Sequence, residues 1–407
     1  MSAARQGFLR ARIRTFNRTF FRALVRALVI TGALSLSACA WWEDIHIFSS
    51  TPKNKPTELT EIKPTLAVKS LWTANVGKAG KYFFTPAVLG PDVIAAGGGG
   101  IVERRVLATG ERVWRVDLDQ KLAAGVGADA ETIAVVGVNG DLIAIESSGK
   151  QRWKIPTNAE ILSAPAVGES IVVVRTTDSR VIAYDAATGK RRWAYQRASQ
   201  PLVLRSNPGM VIEGGLLFAG FPGGRLIALT VSNGALRWES SVAVPKGSTE
   251  LERVADLVGR PVVVGREVCA AAFQGRAGCF DLSTGSSIWG RDISTATGIE
   301  IDGRFAFVSD DKGFVSAFSR GSGASVWKSD KLAYRRLTAP ASVGRAIVVG
   351  DLKGFVHWLS REDGSLIARS TTDGTALLDA PRAFSAGSAP AVLFQTQDGN
   401  LFAFAAE

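Results

Sequence analysis

From about residue 66 onward the apolar positions fall in short runs, such as Leu142-Ile143-Ala144-Ile145 and Ile171-Val172-Val173-Val174. Gly-containing dipeptides separate them. Runs of this length, rich in β-branched residues and bounded by turn residues, predict strands joined by hairpins. No stretch of useful length carries the 3.6-residue apolar period of an amphipathic helix. The pattern therefore predicts an all-β chain.

The runs are organised by a repeat, which reads Gly-x-Leu/Val-x-Ala, a short polar stretch, Thr/Ser-x-Gly or a variant, and a closing Trp. Copies include Gly140-Asp141-Leu142-Ile143-Ala144 closing at Trp153, and Gly224-Arg225-Leu226-Ile227-Ala228 closing at Trp238. In the copy from Gly354 the Trp position is Ala368, and the last copy, Gly399-Asn400-Leu401-Phe402-Ala403, stops at Glu407 before any Trp strand. The missing strand stands at the other end, as Ser70-Leu71-Trp72-Thr73-Ala74, with no Gly motif before it. Such self-similarity predicts four-stranded units arranged radially. Counting Gly motifs and Trp-type strands gives an eight-bladed β-propeller over residues 66–407, its N-terminal strand completing the last blade. Closure removes the open sheet edges of a linear array. Each Trp is expected to pack between neighbouring blades, where a large flat ring buries much area at low entropy cost.

The first 65 residues differ. Residues 1–38 carry Arg5, Arg10, Arg12, Arg14, Arg18, Arg22 and Arg26, no acid, and then the apolar run Ala27 to Ala38. That run is too short to span a bilayer, which takes about 20 residues, and its layout is that of a secretory signal. It ends in Leu36-Ser37-Ala38-Cys39, which resembles the lipobox of bacterial lipoproteins and marks Cys39 as the lipidated N-terminus of the processed chain. Ala40 follows, where Asp would signal inner-membrane retention, so outer-membrane sorting is expected. Residues 39–65, with Pro52, Pro56 and Pro64, read as a flexible tether that contributes no strand. Trp41, Trp42 and Phe48 within it could equally rest at the membrane interface or be plain linker.

Net charge changes once the signal is set aside. The whole chain carries 48 basic and 37 acidic residues, and the arginines just named account for most of the excess. Basic residues elsewhere are interspersed with acids, so no nucleic-acid stripe is present. Two cysteines remain besides Cys39, at 269 and 279, flanking the hairpin Phe273-Gln274-Gly275-Arg276. A two-residue turn would put them on opposite faces and a three-residue loop face to face, so pairing stays open at this level.

Catalytic signals are missing. The two histidines, His46 and His357, have no partner at metal-ligand spacing. Gly97 to Gly100 lacks the Lys-Ser/Thr of a phosphate-binding loop, and Asp363-Gly364 and Asp398-Gly399 are turn residues. No catalytic residue, metal or cofactor is expected.

One copy of the repeat, Ala183-Tyr184-Asp185-Ala186-Ala187-Thr188-Gly189-Lys190-Arg191-Arg192-Trp193, resembles the pyrroloquinoline-quinone-type propeller repeat. A periplasmic oxidoreductase using that quinone, or a generic ligand-binding propeller, is the alternative this raises. Quinoprotein dehydrogenases carry a vicinal Cys pair, however, and here the two remaining cysteines are far apart in sequence. A closer resemblance covers the whole processed chain. Pro201-Leu202-Val203-Leu204-Arg205, the segment Gly247 to Asp256 (Gly-Ser-Thr-Glu-Leu-Glu-Arg-Val-Ala-Asp) and Gly350-Asp351 through Trp358 resemble segments of the BamB family of outer membrane assembly factors. The resemblance implies a non-enzymatic lipoprotein scaffold of the BAM complex, in the outer membrane and facing the periplasm. Its partners would be BamA, through the periplasmic repeats, the other subunits, and unfolded outer membrane protein strands. It implies Leu202, Leu204 and Arg205 as an apolar and cationic anchor and Asp256 as an acidic contact. The family's second acidic position is Val258 here. Residue counting singles out the same region, because the stretches after Trp193 and Trp238 are long and follow the same repeat position in adjacent units.

Overall fold

Runs such as Thr132–Gly137 and Ile171–Arg175 form strands buried along nearly their whole length, as β-branched side chains packed on both faces of a sheet require. They belong to a computed structural model that describes residues 54–198, 202–377 and 379–407. The signal segment, Cys39, Trp41, Trp42, His46, Phe48 and Pro201 lie outside these residues. The strands assemble into eight antiparallel meanders. Blades one to seven occupy residues 87–117, 122–156, 166–196, 210–241, 257–292, 299–329 and 341–371. Blade eight takes three strands from residues 382–406 and its outermost from Val68–Asn75, which pairs antiparallel with Asn400–Ala406. The eight-bladed propeller closed by an N-terminal strand is thus the fold that the Gly and Trp spacing predicts. One addition was not legible: Phe83–Phe84 adds a parallel strand to the inner edge of blade two.

Blade contacts follow one rule. Trp193, in the outermost strand of blade three, donates its indole N–H to the Val231 carbonyl of blade four at 2.7 Å. Its ring lies against Gly234, whose φ is +72° and where a Cβ would sit 2.5 Å from the indole. Six further pairs repeat this: Trp72 on Gly110, Trp114 on Gly149, Trp153 on Gly189, Trp238 on Gly285, Trp289 on Gly323 and Trp327 on Gly364. The turn Gly of the repeat and the Trp are therefore two halves of one joint between successive blades. A register shift beside each Trp, as between Leu236 and Trp238, turns the ring toward the next blade. Gly234→Ala should cost about 2–4 kcal/mol, combining left-handed backbone strain with a steric clash. Gly214→Ala, at φ +57° with nothing near its Cβ, should cost only about 1 kcal/mol, for the backbone alone. Urea unfolding of the two variants checks the difference, and equal losses would remove the clash from the account.

The eighth joint has no Trp because it has no turn to receive one. Blade eight pairs Val68–Asn75 with Asn400–Ala406, strands far apart in sequence, where the other blades join the two by a Gly turn, and blade seven offers Ala368 instead of Trp. Leu66, 3 % exposed, packs there among Trp358, Ile367, Ala368 and Ala406. Its N–H and that of Thr65 both point to the Ile367 carbonyl. This narrows the expected tether. Residues 57–65 are bound to the ring: Arg335 donates to the Thr57 carbonyl (2.9 Å), Arg369 to that of Thr60 (3.0 Å) and Arg345 to that of Thr65 (2.6 Å). Arg335 is set by a buried network, giving its Nε–H to Asp351 at 2.6 Å while Asp351 also bonds His357 at 2.9 Å. Burial holds the His357 imidazole below its ordinary range against the pull of Asp351. The histidine is thus part of a strap anchor.

The cysteine question resolves through register. Cys269 faces Cys279 across a hairpin in which Ala271 pairs with Ala277, the three-residue arrangement, and the two are disulfide-bonded. Both are enclosed with Trp289 and Ile299 in the packing between blades five and six.

Candidate protein-docking site

Two links between blades build the candidate site. The first, residues 202–209, runs from the outer strand of blade three to the inner strand of blade four; the second, 242–256, does the same one blade on. Equivalent links emerge on one face of the ring. Both present apolar side chains to solvent: Leu202 (44 % exposed) and Val203 on the first, Val244 and Leu251 (68 %) on the second. Apolar residues clustered at a loop tip have no packing role in the ring and mark a contact surface.

The second link is shaped by its own sequence. Thr249 and Glu252 form a reciprocal cap: the Glu252 N–H donates to Thr249 Oγ1 (3.2 Å), and the N–H groups of Ser248 and Thr249 donate to Glu252 Oε2 (2.8 and 3.0 Å). Those bonds favour the carboxylate and hold Glu252 below its usual pKa. Gly247, at φ +133°, leaves room for the Glu252 side chain, which a Cβ would meet at 2.3 Å. The result is a single tight turn that lifts Leu251 outward.

Asp256 departs from the expectation. An acidic contact for a partner needs a solvent-facing carboxylate, and this one is 4 % exposed. Oδ2 accepts the Leu204 N–H at 2.6 Å and Oδ1 accepts the Gly223 N–H at 3.1 Å, while its own carbonyl accepts the Phe273 N–H. One carboxylate therefore ties the first link and a hairpin turn of blade four to the base of the second link. Arg175, over the Phe221 ring at 5.2 Å, supplies the balancing charge. Burial pushes the Arg175 pKa down to about 10, and Asp256 works against that shift.

The remaining expected residues are split. Leu202 is exposed, Leu204 is half-buried, and Arg205 is exposed with its guanidinium on Glu160 at 2.7 Å. An exposed ion pair of this kind is worth at most about 1 kcal/mol and leaves Arg205 free to exchange partners. Val258 is enclosed in blade five, opposite Ala271, so the position implied for a second acid is interior here. Leu251, Val244 and Arg175 were not singled out from sequence. Leu251 was visible as the one large apolar residue between Thr249 and Arg253, and Arg175 as an Arg closing a run of strand residues.

Comparison with known proteins places this geometry. A family model described as "Outer membrane protein assembly factor BamB" matches residues 98–329. A protein of that name from Bordetella pertussis is 43% identical over 376 residues, covering 92% of this chain and 95% of that protein. Another, from Burkholderia pseudomallei, is 44% identical over 350 residues, covering 86% of this chain and 91% of its own. Among solved structures, BamB from Moraxella catarrhalis superposes with a TM-score of 0.75 at 26% identity, covering 83% of this chain and 100% of that one. A quinohemoprotein alcohol dehydrogenase from Comamonas testosteroni superposes at 0.64 with 13% identity over 83% of this chain and 76% of its own, a likeness of fold alone.

Proposed function

Because the chain belongs to the BamB family of outer membrane protein assembly factors, we propose that it is a non-enzymatic scaffold of the β-barrel assembly machinery. It docks the periplasmic repeats of BamA with the face built by residues 202–209 and 242–256. The observation that carries this reading is the exposure of Leu202, Val203 and Leu251 on two links fastened together by Asp256. Arg205 adds a cation beside the apolar surface, a combination common at the energetic centre of protein interfaces. Cys39 carries the lipid that holds the protein at the outer membrane, facing the periplasm, where it meets the other BAM subunits and unfolded outer membrane protein strands. The oxidoreductase alternative gains nothing from the cysteines, since Cys269 and Cys279 are packed between blades five and six.

Capture of BamA from detergent-solubilised membranes tests the docking face. Leu202→Asp and Leu251→Asp should each weaken capture by about thirtyfold, near 2 kcal/mol, without lowering the melting temperature. If the double variant captures BamA as the native protein does and melts like it, the docking face lies elsewhere. For the anchor, Cys39→Ser should move the protein from membrane to soluble fractions, because it removes the site of acylation. Retention of that variant in the membrane at native level would show partner binding alone to be sufficient.

A further inference from the structure

Seven of the eight blades, and Ala339 and Pro340 just ahead of blade seven, contribute residues to a cavity at the centre of the ring, about 660 Å³ in volume, and its two sides are unlike. On one side blades one to four and the segment leading into them bring Phe83, Val88, Val126, Val167, Met210 and Ile212. On the other, blades five, six and eight bring Arg260, Glu300 and Arg382, with Asp379 just before blade eight.

The charged side is unbalanced in its contacts. Among the described residues no carboxylate lies within the 4.0 Å ion-pair distance of either guanidinium. Arg382 gives one N–H to the Pro86 carbonyl at 3.2 Å, and the Arg260 side chain has no hydrogen bond to the described residues. Asp379 is turned onto the Ala380 N–H at 2.7 Å. Burial, and after it the charge of Arg260, pushes Arg382 down to about 10. Arg260 is exposed and Arg382 half-buried on the same cavity wall, and two cations there with donors not taken up by the protein attract an anion between them.

We propose that this cavity binds a small amphiphilic carboxylate, its anionic end bridging Arg260 and Arg382 and its apolar body lying against Phe83, Val88, Val126 and Met210. Guanidinium forks suit a planar carboxylate better than a point charge does. The volume is in the range of small-molecule sites, and the division into an apolar wall and a few convergent polar groups is what such sites share. The site is independent of the docking reading, although Leu204 and Arg205 reach its rim.

The groups facing the bound anion also set its pH dependence. Burial raises Glu300 to about 7, against a hydrogen bond from the Ser342 backbone and the pull of Arg260 and Arg382 and with some repulsion from Asp302, and burial raises Asp379 as well. Glu300 loses negative charge as pH falls through about 7, while the arginines stay charged. Anion binding therefore tightens from pH 8 to pH 6.

Calorimetric titration of the complete protein with 3-phenylpropionate tests this, with the neutral amide 3-phenylpropionamide and with acetate as the two partial ligands. Saturable binding of 3-phenylpropionate is expected, with amide and acetate each weaker by about tenfold or more. Arg260→Gln, on an exposed side chain, should weaken 3-phenylpropionate by about tenfold at unchanged melting temperature. Arg382→Gln should act likewise. Absence of saturable heat with 3-phenylpropionate overturns the proposal, as does binding of the amide as tight as that of the carboxylate, or native affinity retained in both arginine variants. Acetate binding as tightly as 3-phenylpropionate would leave a plain anion site and overturn the amphiphile.

Discussion

A chain that begins after Asn75 will aggregate, whereas one that begins at Pro56 will fold and melt like the chain that begins at Cys39. Loss of Val68–Asn75 exposes the full length of Asn400–Ala406, an apolar strand edge ready to pair with another molecule. It also removes Trp72, which forms the joint to blade one through Gly110 and the Leu107 carbonyl. One ring thus loses two neighbouring interfaces at once. A chain beginning at Ala67 separates the strap from the strand: it keeps the closing strand but lacks Leu66 and the Arg-bound carbonyls. It should stay soluble and lose about 2–5 kcal/mol, the range for emptying a buried leucine site. Soluble yield and urea unfolding of the three truncations decide the matter. If the chain lacking Val68–Asn75 is as soluble as the others, the closing strand does not hold the ring together.

The architecture was open to reading because its two signals recur and depend on each other. A Trp needs a flat seat, the seat needs a Gly at positive φ, and both recur at fixed places in the repeat, so spacing alone located the joints. The disulfide was one residue beyond such reasoning, since the loop length at Gln274 decides which face Cys279 shares. The strap was not legible for a different reason. Its bonds use the carbonyls of Thr57, Thr60 and Thr65, and every residue has a carbonyl. The loss of Trp at Ala368 could have pointed to Leu66, but only once the missing turn in blade eight was seen as the cause.

Asp256→Ala will cost about 3–5 kcal/mol and abolish capture of BamA, a larger effect than replacing either exposed leucine. The change removes the acceptor for two N–H groups, those of Leu204 and Gly223, in a buried setting. It also leaves Arg175 without the carboxylate that offsets its burial. Breaking a buried charge in this way is among the most destabilising single changes. With the tie gone the two links can move apart, and Leu202 and Leu251 no longer share one surface. Asp256→Asn keeps one acceptor oxygen and should fall between. Unfolding and capture should therefore decline together along the series Asp, Asn, Ala, unlike the leucine variants, which lose capture alone. Native melting of Asp256→Ala would refute the tie.

At the candidate docking face the sequence singled out both links, and the structure gives Asp256 a buried tie in place of an exposed contact. Both links are long, and length was countable. Whether an acid in such a link points outward depends on what lies beneath it, and the unfilled N–H groups of Leu204 and Gly223 come together only in the folded ring. Burial of Val258 has the same origin, in a strand that begins one residue after Asp256.

The strap has a mechanical consequence. Tension arriving through the chain ahead of Pro56 would reach the strap before the strand that closes the ring. The load would fall first on Thr57, next on Thr60 and last on Thr65 and Leu66, each held by a separate arginine or by the Ile367 carbonyl. Contacts loaded in sequence yield one at a time and can re-form one at a time, as in a cable clamped short of its connector. Blade eight is thereby shielded from small displacements at the point where the ring is joined.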